Sequence, residues 1–281
     1  MKTPAVDSAG RKSEVTRFKT NSPSATSDSL PAQRDNGKRD PRRDEAMQVG
    51  DDIVATDTRW SFAGATPNHF DSHVNRSVPL YQAGHDLIGK CVEFFCRPGA
   101  TIIDVGCSTG TLLASIAQKP MATGLNLVGV DIEADMVRAA RQRCAELENV
   151  TIRQGDALNT DYTSANAVIM YYTMQFAPPH TRPAIVQRVY DGLLSGGALI
   201  LFEKVLCPDA RLQDIMQQLY MDFKFDNGFD ADEIFNKARS LRSVMVPQPS
   251  SDTYGLLRAA GFTSIATIQK YLVFEGILAI K

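Results

Sequence analysis

The residues with the most chemical content stand at the ends of three apolar runs. In residues 101–113, TIIDVGCSTGTLL, an apolar run reaches Asp104, and Gly106 and Gly110 then bracket a small polar loop before a helical pattern starts near Thr111. Glycines let backbone approach a ligand that side chains would exclude, and the free N–H groups of a helix start favour negative charge. The next run, LNLVGVD, ends in Asp131, placed to accept hydrogen bonds from two ribose hydroxyls, as an acid about 20 residues on does in dinucleotide folds. A third, VTIRQGD, ends in Gly155-Asp156, where a side chain stands near an adenine amine. The loop spacing is G-x-x-x-G without a third glycine, so the dinucleotide fingerprint is not met. A nucleotide is implied, without an evident pyrophosphate.

Those ends must be presented along one edge of a sheet. ATIIDVG, LNLVGVD, VTIRQGD, ANAVIMYYTMQF and SGGALILFEKV read as strands, and TGTLLASIAQK and EADMVRAARQRCAEL between them carry helical spacing. This alternation predicts a doubly wound, mostly parallel sheet, in which ligands bind past the carboxyl ends of the strands. Upstream, QAGHDLIGKCVEFFC predicts a helix ending before Pro98-Gly99. Downstream come a long helical stretch over about 210–244, a short helix capped by Gly261, and two strands, SIATIQKY and FEGILAIK, expected to pair antiparallel. The first 55 or so residues, rich in Ser, Pro, Asp, Arg and Lys, hold too little apolar area to offset their ordering entropy. A disordered tail over 1–55 is therefore expected ahead of one folded domain over 56–281.

With 281 residues and a formal net charge of −2, the chain has no global basic field that points to nucleic acid. No window has the length and apolarity of a membrane span, and the N-terminal MKTPAVDSAGRKSEV lacks the apolar core of a signal peptide. Cys91, Cys96, Cys107, Cys144 and Cys207 form no CxxC pair and suit reduced thiols, which gives a cytoplasmic expectation. His69, His73, His85 and His180 show no zinc spacing, and no metal is expected.

The loop, Asp131, Gly155-Asp156 and the terminal hairpin together resemble the class I S-adenosylmethionine (SAM) methyltransferase fold. That is an α/β, Rossmann-like fold whose seven-stranded sheet is mostly parallel with an antiparallel terminal strand, here with a helical insertion at about 208–246. Furthermore, RSVPLY (76–81), DVGCSTG, MQF (174–176), GLLSGGALILFEK and MDFKFDNGF resemble the carboxy-SAM synthase family and occur in the same order, from about Trp60 to Lys281. Members of that family bind SAM and remake it at its methyl group with prephenate, and the product serves tRNA wobble-uridine modification. The resemblance implies a SAM pocket that starts from Tyr81, Asp104 and the loop residues Gly106, Cys107, Ser108 and Gly110. Asp131 with Ile132, and Asp156 with the backbone of Ala157 beside the adenine, complete it. A homodimer through the insertion is also implied.

Two positions depart from the family. Its asparagine near the sulfonium is Tyr171 here, followed by Tyr172, and the arginine that grips the added carboxylate falls on Ala238 within NKARSLRSVM. Arg239 is displaced by one residue, about 100° around a helix, which a bidentate clamp does not tolerate. Aromatic faces stabilise a sulfonium by about 0.5–2 kcal/mol each when desolvated, and strand alternation leaves one of Tyr171 and Tyr172 facing the ligand. In these features the chain is similar to the azetidine-2-carboxylate synthases of secondary metabolism. In those enzymes the α-amine of SAM closes onto its own γ-carbon and expels methylthioadenosine. Tyr171 and Tyr172 are then the expected catalytic residues, taking the proton or orienting the amine. Carboxy-SAM synthesis, methyl transfer to a small metabolite, and a non-catalytic SAM-binding partner subunit are the alternatives. Glu203-Lys204 reads equally as a polar pair near an acceptor or as support for the insertion. Arg76 reads as a brace or a contact to the methionine carboxylate. Asp222, Lys224 and Asn227 are expected at a lid or dimer contact, and Trp60 as a packing anchor.

Overall fold

A computed structural model describes residues 47–55, 60–64, 66–242 and 244–281. Most of the expected tail, residues 1–46, lies outside the described residues. The end of that tail is corrected. Strands β1 (Met47–Gln48) and β2 (Val54–Ala55) pair antiparallel, and Val49, Ile53 and Ala55 pack with Trp60 in a small apolar cluster. A few apolar side chains close together supply burial that the composition of the whole segment conceals.

Helices α1 (Thr66–Ser77) and α2 (Tyr81–Glu93) follow. The alternating region is β3 (Thr101–Val105), α3 (Thr111–Ala117), β4 (Asn126–Asp131), α4 (Ala134–Arg143) and β5 (Val150–Gln154). It continues with β6 (Ala165–Tyr171), α5 (Arg182–Gly192) and β7 (Leu193–Leu206). The insertion consists of α6 (Ala210–Asp226) and α7 (Ala231–Leu241). Strand β8 (Gln248–Pro249), α8 (Ser250–Ala260), β9 (Ser264–Tyr271) and β10 (Phe274–Ile280) complete the chain. The long helical stretch read from sequence divides because Asp230 and Glu233 form a reciprocal capping box that starts α7.

The main sheet runs β5-β4-β3-β6-β7-β10-β9, with β8 paired to β7 off this path. Strands β3 to β7 pair in parallel, and β10 is antiparallel to both β7 and β9. This is the predicted class I methyltransferase topology. Chain order reverses beside β3, which makes its carboxyl end the switch point where ligands bind. Alternate residues supply the two faces: Ile102, Ile169 and Ile200 pack on one side, and Ile103, Val168 and Leu199 on the other. Every residue of β6 is buried, as expected for a strand covered on both faces.

On β7, Glu203 pairs in register with Glu275 of β10. One carboxylate oxygen accepts a hydrogen bond from Thr253 at 3.0 Å, while the other is buried without a partner. Burial pushes its pKa up from 4.5 to about 7. The folded chain therefore holds this proton more tightly than the unfolded chain. Its contribution to stability is full below pH 4.5 and is lost as pH rises to about 7. Glu203→Gln is expected to leave urea stability unchanged near pH 4 and to raise it by on the order of 2 kcal/mol at pH 8.

Candidate functional site

A cavity of about 1790 Å³ lies above the carboxyl ends of the parallel strands, bounded by α1, α2, α6 and α7. It exceeds the roughly 300–1,000 Å³ of an ordinary small-molecule site, so it has room beyond the space one nucleoside fills. The floor begins at Gly106, where φ is 76° and a Cβ would collide with the side chain of Thr173. Gly106→Val is expected to displace this turn and abolish ligand binding, which calorimetric titration with SAM checks. Ser108 is also left-handed, with φ 51°, and its N–H donates to Asp131 Oδ2 at 2.8 Å. The N–H of Glu133 donates to Oδ1 at 3.0 Å. The Asp131 carboxylate is thus fixed at the end of β4, with burial raising its pKa against those two donors.

Asp104 is 2% exposed, lines the cavity, and has one oxygen with no partner. Burial, then the charge of Asp131, push it up to about 7. A buried carboxyl with an unmade hydrogen bond invites a ligand donor. Ile132, 63% exposed, covers one wall, and Asp156 and Ala157 also line the cavity. The Asp156 oxygens accept from the Asn159 N–H and Nδ2 at 2.9 and 2.8 Å, and these bonds hold its pKa down. The Ala157 carbonyl accepts from the Tyr162 hydroxyl at 2.7 Å, so its N–H is the group left for a ligand. Cys107 reaches the wall, but its buried thiol packs beside Gly129, and burial pushes its ionisation up. Gly110 is a correction: it does not line the cavity. Its left-handed backbone caps α3, where a Cβ would come within 3.1 Å of Ala140 on α4.

The part of the cavity past the end of β6 is aromatic. The Tyr81 ring lies 4.9 Å from that of Tyr171, and 6.3 Å from and nearly parallel to that of Tyr172. Phe274 stands 5.9 Å from Tyr172 and also lines the cavity. The expectation that only one of Tyr171 and Tyr172 faces the ligand is corrected. Strand β6 ends at Tyr171, and Tyr172 turns into the left-handed region at φ 59°, which breaks the alternation and brings both rings to the cavity. The Tyr171 hydroxyl donates to the Tyr81 carbonyl at 2.6 Å, where a Cβ on Gly84 would collide with it. Burial pushes both phenols far above their ordinary range. Burial thus disfavours the charged phenolate at both positions, which speaks for the orienting role expected of them over the proton-accepting one. The Tyr172 hydroxyl, buried without a partner, is left to orient a ligand group.

Sequence reasoning missed Asp71. Thr109 donates to it at 2.7 Å and Arg143 pairs with it at 2.7 Å, so α1 is tied across the loop. Helix α1 was not predicted, and its polar face gave no signal. Arg76 pairs with Asp51 at 2.6 Å, donates to the Asn227 carbonyl at 3.0 Å and does not line the cavity, so it is a brace. Glu203 and Lys204 face opposite ways, and Lys204 alone reaches the cavity. Lys224, expected in a lid or dimer contact, is buried in the cavity wall. Ala238 and Arg242 line the same wall, and Arg239 does not.

A family model described as "Methyltransferase domain" matches residues 102–197. The YcgJ protein from Bacillus subtilis superposes with a TM-score of 0.55 over 71% of this chain and 98% of that one at 17% identity, a likeness of fold. A Chromohalobacter salexigens protein named carboxy-S-adenosyl-L-methionine synthase is 34% identical over 242 residues, covering 85% of this chain and 88% of its own length. A Staphylococcus epidermidis protein of the same name is 34% identical over 224 residues, covering 79% and 97%. These names correspond to the second of the reactions expected from sequence and lend no support to the first, cyclisation. On these likenesses and this fold, the chain is a SAM-dependent enzyme of the class I methyltransferase fold and belongs to the carboxy-S-adenosyl-L-methionine synthase family.

Proposed function

We propose that the enzyme takes SAM as its only substrate and closes the methionine chain into azetidine-2-carboxylate, releasing methylthioadenosine. The observation that carries this is Ala238, which stands in the cavity wall at the position where the family resemblance calls for a carboxylate-gripping arginine. The neighbouring Arg239 lies outside that wall, and Arg242, which lines it, stands four residues on from Ala238 and not at the family's position. In the reaction the α-ammonium first gives a proton to solvent. Its lone pair then forms the bond to the γ-carbon while the carbon–sulfur bond breaks, and that electron pair leaves with sulfur. The protein's share is to hold amine and carbon in contact and to keep competing acceptors out. Tyr81, Tyr171, Tyr172 and Phe274 surround the space in which positive charge passes from sulfur to nitrogen.

A second reading is carboxy-SAM synthesis, favoured by the names of relatives that match at 34% identity. It requires a second, carboxylate-bearing substrate. Following SAM consumption by chromatography with and without prephenate separates the two. Consumption of SAM alone, above the uncatalysed background, supports cyclisation. Consumption only with prephenate supports carboxy-SAM synthesis.

A further inference from the structure

Three lysines face the cavity with no carboxylate ion-pair partner among the described residues: Lys204 on β7, Lys224 on α6 and Lys237 on α7. Lys237 stands over the Trp60 ring. The other two converge on one aromatic ring. Lys204 Nζ and Lys224 Nζ each lie 4.6 Å from the centroid of Tyr220. That ring is fixed, because its hydroxyl donates to the Ser77 carbonyl at 2.9 Å. Tyr220 lies 5.0 Å from Phe274, which in turn lies 5.9 Å from Tyr172. The two ammonium groups therefore sit around Tyr220 at the edge of the aromatic box, Lys204 Nζ lying also 6.0 Å from the centroid of Phe274.

Two like charges held in a largely buried wall without a counter-charge are costly. Burial pushes Lys204 down to about 8, and burial and then the charge of Lys204 push Lys224 down to about 7. An anion in the cavity that meets these ammonium groups would relieve both effects. A purely structural role is a poor account of the pair, since lysine stems alone do not require two charged heads in one cavity wall.

We propose that Lys204 and Lys224, arranged around Tyr220, form a carboxylate-binding site in the cavity wall next to the aromatic box. The proposal rests on the reading of the aromatic box as the sulfonium site. The carboxylate has two sources: the α-carboxylate of SAM, curled toward the lysines as cyclisation requires, or a second small carboxylic acid.

Calorimetric titration of wild type, Lys204→Met and Lys224→Met tests this with four probes: methylthioadenosine, SAM, decarboxylated SAM, and prephenate added to methylthioadenosine-loaded protein. Both variants are expected to bind methylthioadenosine as wild type does and to melt no lower, since each loses an unpaired buried charge. A roughly 10- to 100-fold loss of affinity for SAM, with decarboxylated SAM unaffected, supports the site and assigns it the carboxylate of SAM. The same loss for prephenate alone supports the site and assigns it a second acid. Methylthioadenosine binding intact, with SAM and prephenate both indifferent to the two lysines, overturns the lysine site alone. Failure of wild type to bind methylthioadenosine overturns the underlying reading of the cavity and the lysine site with it.

Discussion

Asp131→Ala is expected to weaken SAM binding by about 100-fold or more while the chain stays folded. The carboxylate is held from behind by the N–H groups of Ser108 and Glu133, at 2.8 and 3.0 Å. Its remaining lone pairs stand at the end of β4, beside the switch point, where two ribose hydroxyls can donate. A hydrogen bond to a charged group contributes roughly 1.5–3 kcal/mol, so losing two corresponds to about 100-fold or more. Methylthioadenosine shares the ribose and should lose the same factor in a calorimetric titration. Equal affinity in wild type and variant would place the nucleoside elsewhere.

Tyr172→Ala is expected to lower kcat/KM for SAM by about 30-fold, taking about 2 kcal/mol for a desolvated cation–π contact. Methylthioadenosine has no charged sulfur, so its affinity should change far less. Tyr172→Phe keeps the ring and removes a hydroxyl that has no protein partner, so no buried group is left unpaired and a smaller loss is expected. Steady-state kinetics of the three proteins check this. A Phe variant as impaired as the Ala variant would assign the effect to the hydroxyl acting on the amine.

Much of the scaffold was legible because its signals are local. The glycine loop, Asp131 and Asp156 each follow an apolar run, and strand ends in a doubly wound sheet converge by topology. Gly110 stands outside the cavity lining, and a positive-φ glycine that serves helix packing looks the same in sequence as one that serves a ligand. The joint presentation of Tyr171 and Tyr172 was not legible, since it depends on a backbone break at Tyr172 that no residue type announces. Asp71, Lys204 and Lys224 come from three distant segments, α1, β7 and α6, and only packing brings them to one cavity. The hairpin at 47–55 was hidden by the polar residues around it, although Val49 and Ile53 are buried against Trp60.

The most direct test follows the atoms. SAM carrying carbon-13 at the four carbons from its carboxylate to its γ-carbon, with an unlabelled S-methyl, given to the purified enzyme with no other substrate, should lose its label into a four-carbon, four-membered-ring imino acid. Unlabelled methylthioadenosine should appear in equal amount, both read by NMR and mass spectrometry. Label that stays joined to sulfur, with turnover appearing only when prephenate is added and ending in a carboxylated SAM, would contradict the account.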